Sequence, residues 1–217
     1  MARIVFDLDG TLVDSAPDIH AIANAVLAEE GLAPITFAQA RSFIGNGAPV
    51  FVRRLREARG VPDAEQPRLL AAFIARYEGA VTLTAPYPGV AGALEALAGN
   101  GHALGLCTNK PIGPARSVLA HFGLDRHLAA VVGGDSLPVH KPDPALLQAV
   151  FAALGDGACL YVGDSEVDAE TAARAGVPFV LFTEGYRKSP VDALPHTAAF
   201  SDFSALPDLL NGLLRDG

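Results

Sequence analysis

Cysteine is scarce in this chain: there are two in 217 residues, Cys107 and Cys159. Two cannot build a disulfide framework, and both lie in apolar runs where small buried hydrophobes are expected, so a reducing compartment is implied. No run approaches the ~18 apolar residues that a membrane-spanning helix requires. The N-terminus enters an apolar strand directly, without a charged, apolar and cleavable leader, and a cytoplasmic setting is expected. Positive charge is short as well, with 16 Lys and Arg against 24 Asp and Glu, a formal net charge of −8. That balance argues against a nucleic-acid partner, which calls for a basic face. An anionic ligand must find a local cation, because the overall field repels it. Internal repeats and low-complexity segments are also missing.

With 50% hydrophobic and 18% charged residues, the composition is that of a soluble globular protein. Its length allows one or two domains and a substantial core. The apolar run Ile4-Val5-Phe6 reads as a strand buried on both faces, and Asp7-Leu8-Asp9-Gly10-Thr11 follows at once. Asp7 therefore falls at the end of the strand, the edge where ligands gather on a parallel sheet. Gly10 permits a sharp turn, and Thr11 offers a hydroxyl and a backbone N–H to an anion. Two neighbouring acids repel unless a cation is shared or one is protonated, which points to a metal, a nucleophile and an acid in one corner. Read alone, Asp-x-Asp-Gly is equally a solvated turn.

From Ala16 to about Thr84 the pattern is helical throughout. Ile19, Ile22, Ala23, Val26 and Leu27 form one apolar face, and Thr36 with Gln39 makes a capping box. A helix from about Ala48 carries Val52 and Leu55 inward, with Arg53, Arg54 and Arg56 around it. Asp63 with Gln66 is expected to cap a further helix bearing Leu69, Phe73 and Tyr77. Beyond Tyr87-Pro88-Gly89, helices alternate with strands near 103–107, 129–132, 159–162, 177–182 and 198 onward, with helices at 116–122, 144–154 and 166–175. Such alternation implies an α/β fold, a Rossmann-like doubly wound parallel sheet core with an inserted helical cap domain. The core comprises 1–15 and 85–217, and the cap 16–84.

Three further groups fall where strands should end: Thr108-Asn109-Lys110, Lys141 before Pro142, and Gly163-Asp164-Ser165 with Asp168. Each has an ordinary use, as a turn, a loop lysine or a helix cap. Gathered on one sheet edge, they supply acids, a hydroxyl and an ammonium fit for a dication and phosphate oxygens.

In these four segments, taken in order, the chain resembles the haloacid dehalogenase superfamily. Thr108-Asn109-Lys110 and Phe43-Ile44-Gly45-Asn46-Gly47 further resemble its bacterial phosphoglycolate phosphatase group. The resemblance implies Asp7 as nucleophile, and Asp9 as general acid and then base. It implies Mg²⁺ held by Asp7, Asp9 through its backbone carbonyl, and Asp164, with Asp168 in support. Thr108 and Lys141 would grip the phosphoryl group, and Asn109, Gly45, Asn46 and Gly47 would meet the substrate. For a carboxylated leaving group Arg53 or Arg54 is a candidate cation, set against a solvated helix face; His20 is expected to pack. The implied partner is a small phosphorylated metabolite, with the protein a monomer or homodimer. A sugar-phosphate phosphatase, a phosphomutase and a non-enzymatic phosphoacceptor module remain as alternatives. A phosphonate hydrolase needs a cap lysine, and residues 16–84 contain none.

Overall fold

The computed structural model describes residues 1–216, with side chains through Arg215. Strand β1 (Ala2–Phe6) leads into a two-residue strand β2 (Val13–Asp14) and then helices α1 (Ala16–Glu29), α2 (Phe37–Phe43), α3 (Ala48–Glu57) and α4 (Gln66–Tyr77). A second two-residue strand, β3 (Ala85–Pro86), returns beside β2. There follow α5 (Val90–Gly99), β4 (Ala103–Cys107), α6 (Ile112–His121), β5 (Ala130–Val132) and α7 (Ala145–Ala153). The chain closes with β6 (Ala158–Gly163), α8 (Glu166–Ala175), β7 (Phe179–Phe182), β8 (Ala198–Phe200) and α9 (Leu206–Asp216).

Six strands form one parallel sheet in the order β5-β4-β1-β6-β7-β8. Strand direction alternates side chains between faces, and both faces are covered. Ile4, Phe6, Leu106 and Val162 pack under α5, α6 and α9, whereas Val5, Cys107 and Tyr161 pack under α7 and α8. The order of connection reverses at β1, so the carboxyl ends of β1, β4 and β6 converge on a crevice, where ligands bind in such sheets.

Helices α1 to α4 bury a cluster of their own, with Val26, Leu27, Leu55, Leu69 and Phe73 at its centre. The two crossings to this cluster run side by side through the antiparallel β2–β3 pair. Asp18, in the first turn of α1, fastens them by accepting from Leu83 N (3.1 Å), Thr84 N (2.7 Å) and Thr84 Oγ1 (2.6 Å). From the sheet side, Tyr186 Oη accepts from Ser15 N (2.8 Å) and donates to Asp14 (2.6 Å).

Several local expectations change. Asp63 does not cap α4; it sits in a 3₁₀ turn and pairs with Arg56, a residue that sequence placed on the helix's outside but that is buried. Arg56 tolerates burial because Val61 O (2.7 Å) and Gln66 Oε1 (3.3 Å) also take its protons. Helix α6 starts at Ile112, four residues before the expected Arg116, where Asp135 accepts the Ile112 N–H at 2.8 Å. Strand β7 starts at Phe179 rather than Val177, past Pro178, which has no N–H for a ladder. Cys107 is buried, but Cys159 is only half-buried, its sulfur 3.0 Å from an Arg3 nitrogen. Among the described residues no helix is long and apolar enough to cross a membrane.

Candidate active site

Asp7 is the first residue past β1, and its N–H still bonds Val162 O at 2.9 Å, which fixes it at the sheet edge. Lys141 arrives from the loop ahead of α7, with its Nζ 2.9 Å from Asp7 Oδ1 and 2.7 Å from Asp168 Oδ1. The Asp7 contact is an ion pair without hydrogen-bond alignment, which leaves this buried oxygen with no hydrogen bond. Burial raises the Asp7 carboxyl to about 7; Lys141 opposes the rise, while Asp168 and Asp9 add to it. Burial pulls the Lys141 ammonium down, but Asp168 and Asp7 more than offset that, so it stays charged.

Asp164 follows β6 and is held by Thr11 Oγ1, which donates to Oδ1 at 2.9 Å, and by Tyr186 N, which donates to Oδ2 at 2.5 Å. The Thr11 hydroxyl thus orients a carboxylate of the protein. Gly10 has φ +89°, and a Cβ there would lie 2.5 Å from Asp164 Oδ2, so the tight turn and the acid need glycine. Burial, then the charges of Asp168 and Asp7, push the Asp164 carboxyl well above the ordinary range.

Asp7, Asp164 and Asp168 each bring a carboxylate oxygen within 4.8 Å of the others. Asp168 is nonetheless fully engaged. Its Oδ1 takes Lys141 and Tyr161 Oη at 2.7 Å each, and its Oδ2 takes Ser165 Oγ at 2.6 Å and Ser165 N at 3.1 Å. Burial raises its pKa, but Lys141 and these hydrogen bonds prevail and hold it below the ordinary carboxylate value. Asp168 therefore anchors Lys141 and the start of α8, capped by Ser165. Asp7 and Asp164 are left as carboxyls raised by burial and by neighbouring carboxylates, chiefly Asp168, a hard donor pair that suits a divalent cation.

Asp9 Oδ1 accepts from Ser15 Oγ at 2.6 Å and from Lys110 Nζ at 3.1 Å. Burial draws the Lys110 ammonium below its ordinary value, against the pull of Asp9. Thr108 is buried beside Asp7, and its Oγ1 accepts from Lys110 N at 3.2 Å, which leaves its proton free. Asn109 faces the protein: Nδ2 donates to Gly45 O (3.0 Å) and Lys141 O (3.1 Å), and Oδ1 accepts from Lys141 N (2.9 Å). One amide thus links the glycine segment to the lysine loop.

Gly45 and Gly47 roof a cavity of about 40 Å³ over Asp7 and Asp9, lined also by Phe51, Phe73 and Lys110. Gly47 has φ +81°, and a Cβ there would come 3.2 Å from Asn109 O, so close approach of the two segments requires glycine. Asn46 lines an adjoining cavity with Asp164, and Arg54 Nη2 reaches its Oδ1 at 3.3 Å. Neither candidate arginine lines the first cavity: Arg53 is exposed beside Glu57, and Arg54 holds the Ser42 and Phe43 carbonyls. His20 packs, bonded to Ile35 O at 2.9 Å. Sequence reasoning assigned no role to Tyr161, Ser15 or Tyr186. A tyrosine inside a strand reads as core, and only the bonds of its hydroxyl to Asp168 (2.7 Å) and Lys141 (3.0 Å) show it to be part of the polar cluster.

A reversal point in a parallel sheet, with acids and a lysine supplied from three strand ends, defines an α/β enzyme of the aspartate-centred kind. A family model described as haloacid dehalogenase-like hydrolase matches residues 1–176, and the chain belongs to that family. It is 56% identical over 217 residues to a phosphoglycolate phosphatase of Cereibacter sphaeroides, which covers 99% of this chain and 100% of the relative. To a phosphoglycolate phosphatase of Rhodobacter capsulatus it is 49% identical over 212 residues, 96% of each chain. A crystal structure from Haemophilus somnus, described as a predicted phosphoglycolate phosphatase, superposes with a TM-score of 0.89 at 32% identity, covering 95% of this chain and 96% of that one.

Proposed function

We propose that this hydrolase is a Mg²⁺-dependent phosphomonoesterase that cleaves 2-phosphoglycolate into glycolate and phosphate. The observation that carries the reading is the pairing of Asp7 with Lys141 beneath a cavity of about 40 Å³, at the site of a chain 56% identical to a protein of that name.

In the first step Asp7 attacks phosphorus, forming a P–O bond to its carboxylate as the bond to the leaving oxygen breaks. Asp9 donates the proton that this oxygen needs. In the second step Asp9 accepts a proton from water, which attacks phosphorus and frees both phosphate and Asp7. Lys141 and the free Thr108 proton meet the charge that develops on the phosphoryl oxygens. Asp7, Asp164 and the Asp9 carbonyl would hold the Mg²⁺. When bound, this ion supplies the positive charge that lets an anionic nucleophile approach an anionic ester. Thr11, Asp168 and Tyr161 keep Asp164 and Lys141 in place. Residues 16–84 act as a cap, which brings Gly45-Asn46-Gly47 over the site to exclude water.

Phosphate release should be measured across a panel of small phosphate esters, with Mg²⁺ or with EDTA and without any added acceptor. The proposal expects 2-phosphoglycolate to lead the panel and EDTA to abolish turnover. Equal turnover in EDTA, or release only when an acceptor sugar phosphate is present, contradicts it.

A further inference from the structure

The cavity over Asp7 has an apolar wall of Ile19, Phe51 and Phe73 and one cation among its lining residues, Lys110. Lys110 is 3% exposed. Its Nζ lies 2.7 Å from Tyr77 Oη and 3.1 Å from Asp9 Oδ1, with the Tyr77 ring centroid at 4.0 Å. An ammonium has three N–H donors, and these two partners leave one unclaimed. Tyr77 ends α4, whereas Lys110 follows β4, so helical segment and sheet together aim the charge.

A carboxylate enters an apolar pocket only if a cation meets it there, since burying it unpaired is prohibitive. In a molecule of net charge −8, with Asp7 and Asp9 on the cavity floor, that requirement is sharper still. Lys141 is already committed to Asp7 and Asp168, and Lys188 lines the neighbouring cavity beside Asp164 and Glu166. We infer that Lys110, steadied by Tyr77, binds the carboxylate of the leaving group and makes the site selective for phosphate esters of short hydroxy acids. This rests on the phosphatase reading above. It gives the two buried lysines separate tasks: Lys141 serves the phosphoryl end of the substrate, and Lys110 the carboxylate end.

The test compares kcat/KM for 2-phosphoglycolate and for its isosteric amide, which lacks the negative charge. The wild type should prefer the acid by roughly 100-fold or more, because a site built for one polar group rejects its analogue strongly. Lys110→Met should reduce that preference to within about threefold, chiefly through KM for the acid. Lys188→Ala should leave the preference intact. If Lys110→Met does not fold, Tyr77→Phe provides the same readout, raising KM for the acid and not for the amide. The inference is overturned if the preference survives in Lys110→Met, collapses in Lys188→Ala, or is missing from the wild type. An equal loss on both substrates in Lys110→Met also overturns it, since Lys110 would then act through Asp9. Turnover of neither compound by the wild type contradicts the phosphatase reading itself, and this inference with it.

Discussion

Lys141 stands between two buried carboxylates and a tyrosine hydroxyl, so its removal affects both stability and chemistry. Lys141→Met strands Asp168 without its cation, and breaking a buried pair in this way costs about 3–5 kcal/mol, readable in urea unfolding. Tyr161→Phe removes the hydrogen bonds that this hydroxyl makes with two charged groups, donating to Asp168 (2.7 Å) and accepting from Lys141 (3.0 Å), a loss of at least about 1.5–3 kcal/mol, and should lower kcat more than it raises KM. Asp9→Asn should reduce kcat by roughly 10²–10⁴-fold, the usual worth of a positioned proton donor, while the fold persists. The gathering of these residues at one sheet edge was partly legible in sequence. The spacing Asp7-x-Asp9, Lys141 and Asp164 announced itself because chemistry dictates those residue types. For a carboxylated leaving group sequence pointed to Arg53 or Arg54 and not to Lys110, since which cation lines a cavity depends on helix rotation and on competing partners such as Glu57.

The elements were legible in proportion to their length and periodicity. Helix α1 and the Thr36–Gln39 capping box form as their patterns require, because several residues repeat the same signal. The β2–β3 pair is two residues deep, too short to leave a pattern, although both crossings to the helical segment pass through it. Asp18 is the fastening there. Asp18→Ala leaves the Leu83 and Thr84 donors without their acceptor and should cost about 1–3 kcal/mol in thermal unfolding. The glycine segment makes the complementary case. Gly47→Ala puts a side chain on a residue at φ +81°, ψ 168°, a region essentially confined to glycine, at about 1–3 kcal/mol, and towards Asn109 O. Its kcat/KM should fall, because the displaced segment roofs the cavity, and the melting temperature should drop by about 2–4 °C for each kcal/mol lost.

At the scale of the molecule, the parallel sheet concentrates negative charge at one edge and the protein carries the strain of that choice. Asp7 titrates at about 7 against an ordinary 3.8, and Asp164 is raised as well. Between those values the native protein keeps protons that the unfolded chain has lost, so without metal its stability falls as pH rises through this window. Asp168, lowered by Lys141, acts in the opposite sense, its contribution being lost only on acidification below the ordinary carboxylate range. Mg²⁺ held as proposed by Asp7 and Asp164 would compete with their protons and should therefore raise the melting temperature more at about pH 8 than at about pH 5. Equal shifts at both pH values would place the ion elsewhere.

The proposed reaction requires that Asp7 become covalently phosphorylated during turnover. The most direct measurement is an acid quench of the Mg²⁺-loaded enzyme turning over 2-phosphoglycolate, followed by mass spectrometry of the peptide containing Asp7. The expected result is phosphate on Asp7 during turnover, absent from Asp7→Asn, with kcat in that variant reduced by roughly 10⁴-fold or more. Full phosphate release by Asp7→Asn, or turnover with the label on another residue, would contradict it.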